Sequence, residues 1–256
     1  MKRSGRARRP GQARGAATAG AGAAAAALLA AALFAGGGAA RGGTPATAAP
    51  GVAAAPSTGV GHLDGATLTP EEKTAALEHF DIIAMVKPTV GSGLHRARAD
   101  ALCNAPVELV KAALLDVRGY EKFMPKVTRS RVLKSEGSKM RVLIETRLPW
   151  PIENSWNILD VNVAAVKLGY SITWERITGS MKENRGFWLL SPYGPGGIYT
   201  RLAYEIEVYV PPVLPEFAVG KGFRKVAADY MNALRVEVGR RKDAAAAGAS
   251  AAPAGG

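Results

Sequence analysis

The period of apolar and polar positions changes several times along this chain, and each change marks an element. From Val127 onward the period is two. It predicts strands near 127–135, 139–148, 154–163, 169–177, 184–191 and 198–210, joined by short turns as an antiparallel meander. Met140, Val142, Ile144, Thr146 and Leu148 share one face of their strand, and Thr200, Leu202, Tyr204, Ile206, Val208 and Val210 share one face of the last. The same alternation sends Arg141, Glu145, Arg147, Arg201, Glu205 and Glu207 to water. The strand near 154–163 is ambiguous. Either Trp156, Ile158 and Asp160 point inward, or Asn157, Leu159 and Val161 do.

After Pro211, Pro212 and Pro215 the period becomes helical for about 25 residues, with Val219, Phe223, Val226, Tyr230, Leu234 and Val238 on one stripe. That stripe needs the concave side of the sheet as its partner. Upstream, Thr69-Pro70-Glu71-Glu72 is an N-cap, a first-position proline and a first-turn acid pair, which predicts a helix to about Glu78. Strands at 81–87 and 93–103 form a hairpin across Pro-Thr-Val-Gly-Ser. A second helix opens at Asn104-Ala105-Pro106, carries Val107, Val110, Leu114 and Leu115 on one face and ends at Gly119. A short helical turn follows over Tyr120–Met124.

The ends differ in kind. Residues 1–67 lack any periodic apolar pattern and are mostly Ala, Gly, Pro, Ser, Thr and Arg, so they cannot offset the entropy of ordering. Lys2 to Arg14 is basic, and the uncharged run 15–40 has its most apolar part at 23–35, the n-region and h-region order of a secretory signal. Small residues at 38–40 or 46–48 offer cleavage sites, with cleavage after Ala40 preferred. The same run is also long enough to remain as a membrane anchor, and both readings stay open. The expected organisation is therefore a signal or anchor at 1–40, a flexible Ala/Gly/Pro linker at 41–67, one domain at 68–242 and a disordered tail at 243–256.

This division changes the meaning of the charge. The chain carries +12, but residues 1–41 hold seven cations and no acid, which leaves 26 cations against 21 acids in the rest. Without a basic stripe interleaved with aromatics, nucleic acid is not an expected partner. Cys103 is the single cysteine, which excludes an internal disulfide or a multi-cysteine metal site. His62, His79 and His95 lack metal-ligand spacing and read as surface histidines, so neither metal nor cofactor is expected. Ser92, Ser171 and Ser191 lie in no nucleophile turn, and Gly194, Gly196 and Gly197 precede a strand, not a phosphate-binding helix. If Asp160 points inward, an apolar setting would raise its pKa and suit it to acid or base work.

The stretch 101–132, ALCNAPVELVKAALLDVRGYEKFMPKVTRSRV, resembles the first motif of the START-like, or SRPBCC, superfamily. Gly186-Phe187-Trp188 with Pro192 and Gly194, followed by Thr-Arg-Leu-x-Tyr from Thr200, resembles a later one. The likeness covers roughly residues 92–240 and is nearest to the coenzyme Q-binding and polyketide cyclase/dehydrase group. It implies an α+β helix-grip fold: a curved antiparallel sheet wrapped around a long C-terminal helix, with two small helices after the first strand pair. It further implies a cavity for a lipid, sterol, quinone or aromatic molecule.

Residues expected around that cavity are Phe123, Met124, Val142, Ile144, Leu148 and Trp150 from the middle of the chain. Trp156, Trp174, Trp188, Leu202, Tyr204 and Ile206 come from the later strands, and Phe217, Phe223, Val226 and Tyr230 from the long helix. The Trp150-Pro151 loop and the segment from Pro211 to Gly222 are expected to gate it, with transient membrane contact at either. The leading expectation is a non-catalytic, exported, periplasmic or envelope-associated binding or transfer protein for a hydrophobic small molecule. An alternative is a cyclase, aromatase or dehydratase using Asp160, Arg176 or Tyr204, and another is an envelope interaction module. The pattern gives no oligomeric state.

Overall fold

A computed structural model describes residues 62–88, 93–147, 154–209 and 216–250. Helix α1 (Pro70–Glu78) starts where predicted: Thr69 Oγ1 accepts from the Glu72 amide at 3.2 Å, and Glu72 Oε2 accepts from the Thr69 amide at 2.8 Å. Strands β2 (Ile83–Pro88) and β3 (Leu94–Cys103) pair antiparallel. Helix α2 (Val107–Leu115) buries Val110, Ala113 and Leu114, and a 3-10 turn at Val117–Gly119 leads into the one-turn α3 (Tyr120–Phe123).

The meander follows as β4 (Val127–Glu136), β5 (Lys139–Thr146), β6 (Ser155–Val166), β7 (Gly169–Gly179), β8 (Asn184–Tyr193) and β9 (Tyr199–Tyr209). One unclosed sheet results, its last strand paired back onto β3, with the long helix α4 (Glu216–Ser250) against it. The expected α+β helix-grip arrangement is the one found.

Two features depart from expectation. Leu63–Asp64, placed in the flexible linker by composition, form a two-residue strand β1 parallel to β2. At the other end α4 continues through Asp243 to Ser250, in the stretch read as tail. Its alanines are the strongest helix formers, so composition and propensity point in opposite directions there. The segments 1–61, 89–92, 148–153, 210–215 and 251–256 lie outside the described residues. With them go the signal or anchor, most of the linker, the Trp150-Pro151 loop and the first part of the expected 211–222 gate, whose residues 216–222 open α4.

Helix α4 does not lie over the middle of the sheet. It packs on β2 and β3, where the wholly buried Ala84, Ala99 and Ala101 cluster with Ala227, Ala228 and Met231, and Ala97 clusters with Phe223. Methyl-sized side chains on both surfaces bring helix and sheet close together. The curved far half, β4 to β8, stands off the helix, and that is where the interior space lies.

Candidate functional site

A cavity of about 150 Å³ opens between that far half and α4. Its floor comes from the inward rows of β5 to β9: Met140, Val142, Ile144, Leu159, Val161 and Ile172 are among the apolar contributors. Helices supply Leu114, Val117, Tyr120 and Tyr230, and Met124 and Val127 close one side. No carboxylate, amine, guanidinium or imidazole lines it among the described residues.

Aromatic rings organise the wall around Tyr204. Its ring lies 4.5 Å from Trp188, 5.8 Å from Trp174 in a stacked arrangement and 6.2 Å from Tyr230 edge-on. Trp174 can lie flat against β8 because its neighbour there is Gly186. A Cβ at that position would sit 2.4 Å from the indole and 2.1 Å from the Glu205 carbonyl. The glycine and tryptophan of the Gly-Phe-Trp motif thus make room for one indole and supply another. Trp174 Nε1 donates to Asn184 Oδ1 at 3.0 Å, so its polar edge is satisfied.

Burial holds the tyrosines neutral. Desolvation pushes Tyr230 up to about 12, helped by the nearby Asp229 carboxylate, and raises Tyr204 well above its ordinary range, helped by Tyr230 and Tyr120. The Tyr120 hydroxyl is raised for the same reason and donates to the Leu114 carbonyl at 2.5 Å. These groups can donate hydrogen bonds but cannot act as bases near neutral pH.

Asn157 is one of three polar non-aromatic side chains in the wall, with Thr146 and Asn184. It sits on the inward row of β6 with Leu159 and Val161, is 5% exposed and lines the cavity. Its Oδ1 has no hydrogen-bond partner. The orientation of the amide follows from its neighbours. Ser180 Oγ donates to the Trp156 carbonyl at 3.1 Å and therefore accepts from Ser155 Oγ at 3.0 Å. Ser155 Oγ is then left to accept from Asn157 Nδ2 at 3.4 Å, which leaves Oδ1 turned away and unsatisfied. A buried acceptor without a partner costs about 1–3 kcal/mol, so such a group calls for an explanation. Gly179, with φ +152°, fits tightly here: a Cβ on it would lie 2.6 Å from Asn157 Oδ1.

Of the sequence-based candidates, Met124, Val142, Ile144, Trp174, Trp188, Tyr204, Ile206 and Tyr230 line this cavity. Phe223 and Val226 line an adjoining crevice of about 30 Å³ that shares Tyr204, Ile206 and Tyr230. Leu202 is fully buried in the core, and Phe123 packs beside Tyr120, neither forming cavity wall. Leu148, Trp150 and the Phe217 side chain lie outside the described residues.

Trp156 and Asp160 are corrections, because β6 takes the opposite phase. Trp156 is 42% exposed on the outer face, and Asp160 receives Arg141 Nε at 2.8 Å and Nη2 at 2.9 Å. That bond from Arg141 holds the Asp160 carboxyl below its usual range, the reverse of what an acid catalyst needs. Arg176 stands opposite Leu159 in the ladder, but it donates to the Lys182 carbonyl at 2.9 Å and is not part of the cavity wall. Glu207, expected in water, is buried on the outer face between two arginines. His95, read as a surface residue, is half-buried and stacks on Phe223 at 6.1 Å. Cys103 is buried, and desolvation pushes its thiol up to about 11. Sequence reasoning passed over Asn157, Asn184, Met181 and Ile172 as wall residues. For Asn157 the usable signal was the alternative phase of β6.

A family model described as polyketide cyclase / dehydrase and lipid transport matches residues 103–235. No curated protein sequence matches the chain. Among solved structures it is similar to a STAR-related lipid transfer protein fragment from Xanthomonas axonopodis. That pair is 18% identical over 61% of this chain and 93% of the other, with a TM-score of 0.54. Human STARD10 is similar at 16% identity, over 63% of this chain and 71% of that one, with a TM-score of 0.55. Human StAR-related lipid transfer protein 5 is similar at 15% identity, over 63% and 83%, with a TM-score of 0.51. At these identities the likeness to the solved structures is one of fold.

Proposed function

Since the chain belongs to the polyketide cyclase / dehydrase and lipid transport family, we propose that it is a carrier or binding protein which holds a hydrophobic small molecule in the cavity beneath α4. The observation that carries this reading is the wall itself. It is apolar and aromatic, with a few neutral polar groups and no charged side chain among the described residues. Such a wall removes an apolar molecule from water at about 25 cal/mol per Å² buried, whereas an ion placed there would lose its hydration without compensation.

Native mass spectrometry of the full chain purified from its own host tests this. A non-covalent, solvent-extractable apolar adduct is expected. A bare polypeptide that also takes up no added hydrophobic probe would contradict the reading.

The second part of the proposal is export to the cell envelope, supported by the order of basic and apolar segments in residues 1–40. Fractionation with N-terminal sequencing tests it. A mature terminus after Ala40, or the intact chain in the membrane fraction, agrees with export. The intact chain in the cytosol refutes it.

A further inference from the structure

The outer face of the sheet carries a recess whose charge is not balanced. Ile83 and Leu102 lie under Leu77 of α1, on the face of β2 and β3 opposite the alanines that meet α4. Beside that contact a cleft of about 310 Å³ is left between α1 and strands β2, β3 and β9. We infer that this cleft is a binding site for a compact phosphate-bearing anion, separate from the inner cavity and independent of what that cavity holds.

Charge balance is the first observation. Among the described residues five basic side chains line the cleft against two acidic ones, whereas a broader groove further along the same face carries five of each. Both acids of the cleft are already engaged. Asp100 is buried and receives Arg98 Nε at 2.9 Å and Nη2 at 3.1 Å, and Glu205 stands 3.4 Å from Arg96 Nε. That leaves Lys73, Lys87 and Arg201, whose side chains have neither an ion pair nor a hydrogen bond among the described residues. The second observation is the place of Lys73. It lies one turn before Leu77 on the face of α1 turned to the sheet, and it is half-buried there. A lysine serving solubility alone would project from the far side of the helix, where Glu71, Thr74 and Glu78 are exposed. Three basic groups without partners around one recess call for more than a single negative charge. A phosphomonoester carries about −1.5 to −2 at neutral pH and offers strong acceptor oxygens to lysine and arginine alike, whereas a carboxylate brings one charge. Free phosphomonoesters and phospholipid head groups share this chemistry.

The test uses the full chain in two arms, calorimetric titration with glycerol 3-phosphate and flotation with phosphatidylcholine vesicles with and without phosphatidic acid. A Lys73→Gln, Arg201→Gln variant is compared with a Lys134→Gln, Lys139→Gln variant, which removes the same charge from the broader groove and so controls for the chain's overall excess of cations. Urea midpoints equal to that of the unaltered chain show that both variants are folded. Saturable binding of glycerol 3-phosphate is expected, weakened about tenfold in the first variant and unchanged in the second. Flotation that rises with phosphatidic acid and falls in the first variant alone also supports the site, and assigns a head group as its source. Equal weakening in both variants overturns the inference, because the anion then responds only to net charge. Undiminished binding in the first variant overturns it too, as does failure of both probes to bind the unaltered chain.

Discussion

The two faces of one sheet solve opposite problems with neighbouring residues of the same strands. On the outer face Glu207 accepts from Arg96 at 2.7 Å and from Arg185 Nε at 2.9 Å across three strands, Arg98 grips Asp100 with two bonds, and Arg141 grips Asp160. These charges line or border a broad groove of about 760 Å³ and neutralise one another. The inner face has a much smaller space and no ion among the described residues that line it. Size alone would favour the outer groove as a binding site. Wall chemistry favours the inner cavity for an apolar molecule, because the outer groove is lined by ion pairs and the inner wall by apolar and aromatic side chains.

The largest expected effect that would sharpen this contrast comes from two tryptophans on opposite faces. Trp188→Ala removes a buried ring that touches Tyr204 and should cost about 4 kcal/mol in urea unfolding. Trp156→Ala, on the outer face, should cost under about 1 kcal/mol. Equal losses would break the assignment of faces.

Next in size is the response to charge in the ligand. Exchanging the hydroxyl of 4-propylphenol for a carboxylate should weaken binding on the order of a hundredfold, because the described wall offers no cation to receive it. Comparable affinity would mean that a charged residue reaches the space.

A smaller effect concerns acid. Glu237 on α4 accepts from Arg240 and Arg241, and Arg241 reaches on to Asp116 at 2.7 Å, tying the helix to the end of α2. The bond from Arg240 is the leading cause that lowers the Glu237 carboxyl from an ordinary 4.5 to about 2. Its depressed folded value means that the stabilisation is complete above pH 4.5 and is lost as pH falls toward 2. Glu237→Gln should cost about 1.5 kcal/mol at pH 7 and flatten that part of the acid-unfolding curve. The smallest effect belongs to Asp160→Asn. It breaks an exposed pair and should leave both the urea midpoint and ligand affinity within experimental scatter; a loss of binding would return Asp160 to the site.

Much of this fold was legible in the sequence, because the signals were local and strong. Thr69-Pro70-Glu71-Glu72 specifies a helix start by its own hydrogen bonds, and the alternation on β5 and β9 fixes which side chains face inward. What escaped depends on contacts between distant segments. The phase of β6 was ambiguous because its outward row holds a tryptophan and its inward row an asparagine, and β7 carries an extra residue, Ile177, opposite the step from Ile158 to Leu159. The alanine seam between α4 and β3 was not singled out because methyl groups contribute little to a hydrophobic pattern, although they set where the helix lies and hence where the space remains. Glu207 reads as a surface residue until Arg96 and Arg185 are seen to flank it from two other strands.

The central claim is that the inner face receives an apolar molecule and the outer face does not. Tryptophan fluorescence tests it directly, since bromine quenches an indole only at close range and this chain has four tryptophans. The chain bearing Trp150→Phe and Trp156→Phe keeps only Trp174 and Trp188, which line the cavity. Titrated with 1-bromo-4-propylbenzene it should lose emission along a saturable curve, while a chain keeping Trp156 alone should show only weak, unsaturable quenching. Saturable quenching of Trp156, with the Trp174 and Trp188 emission unchanged, would contradict the account.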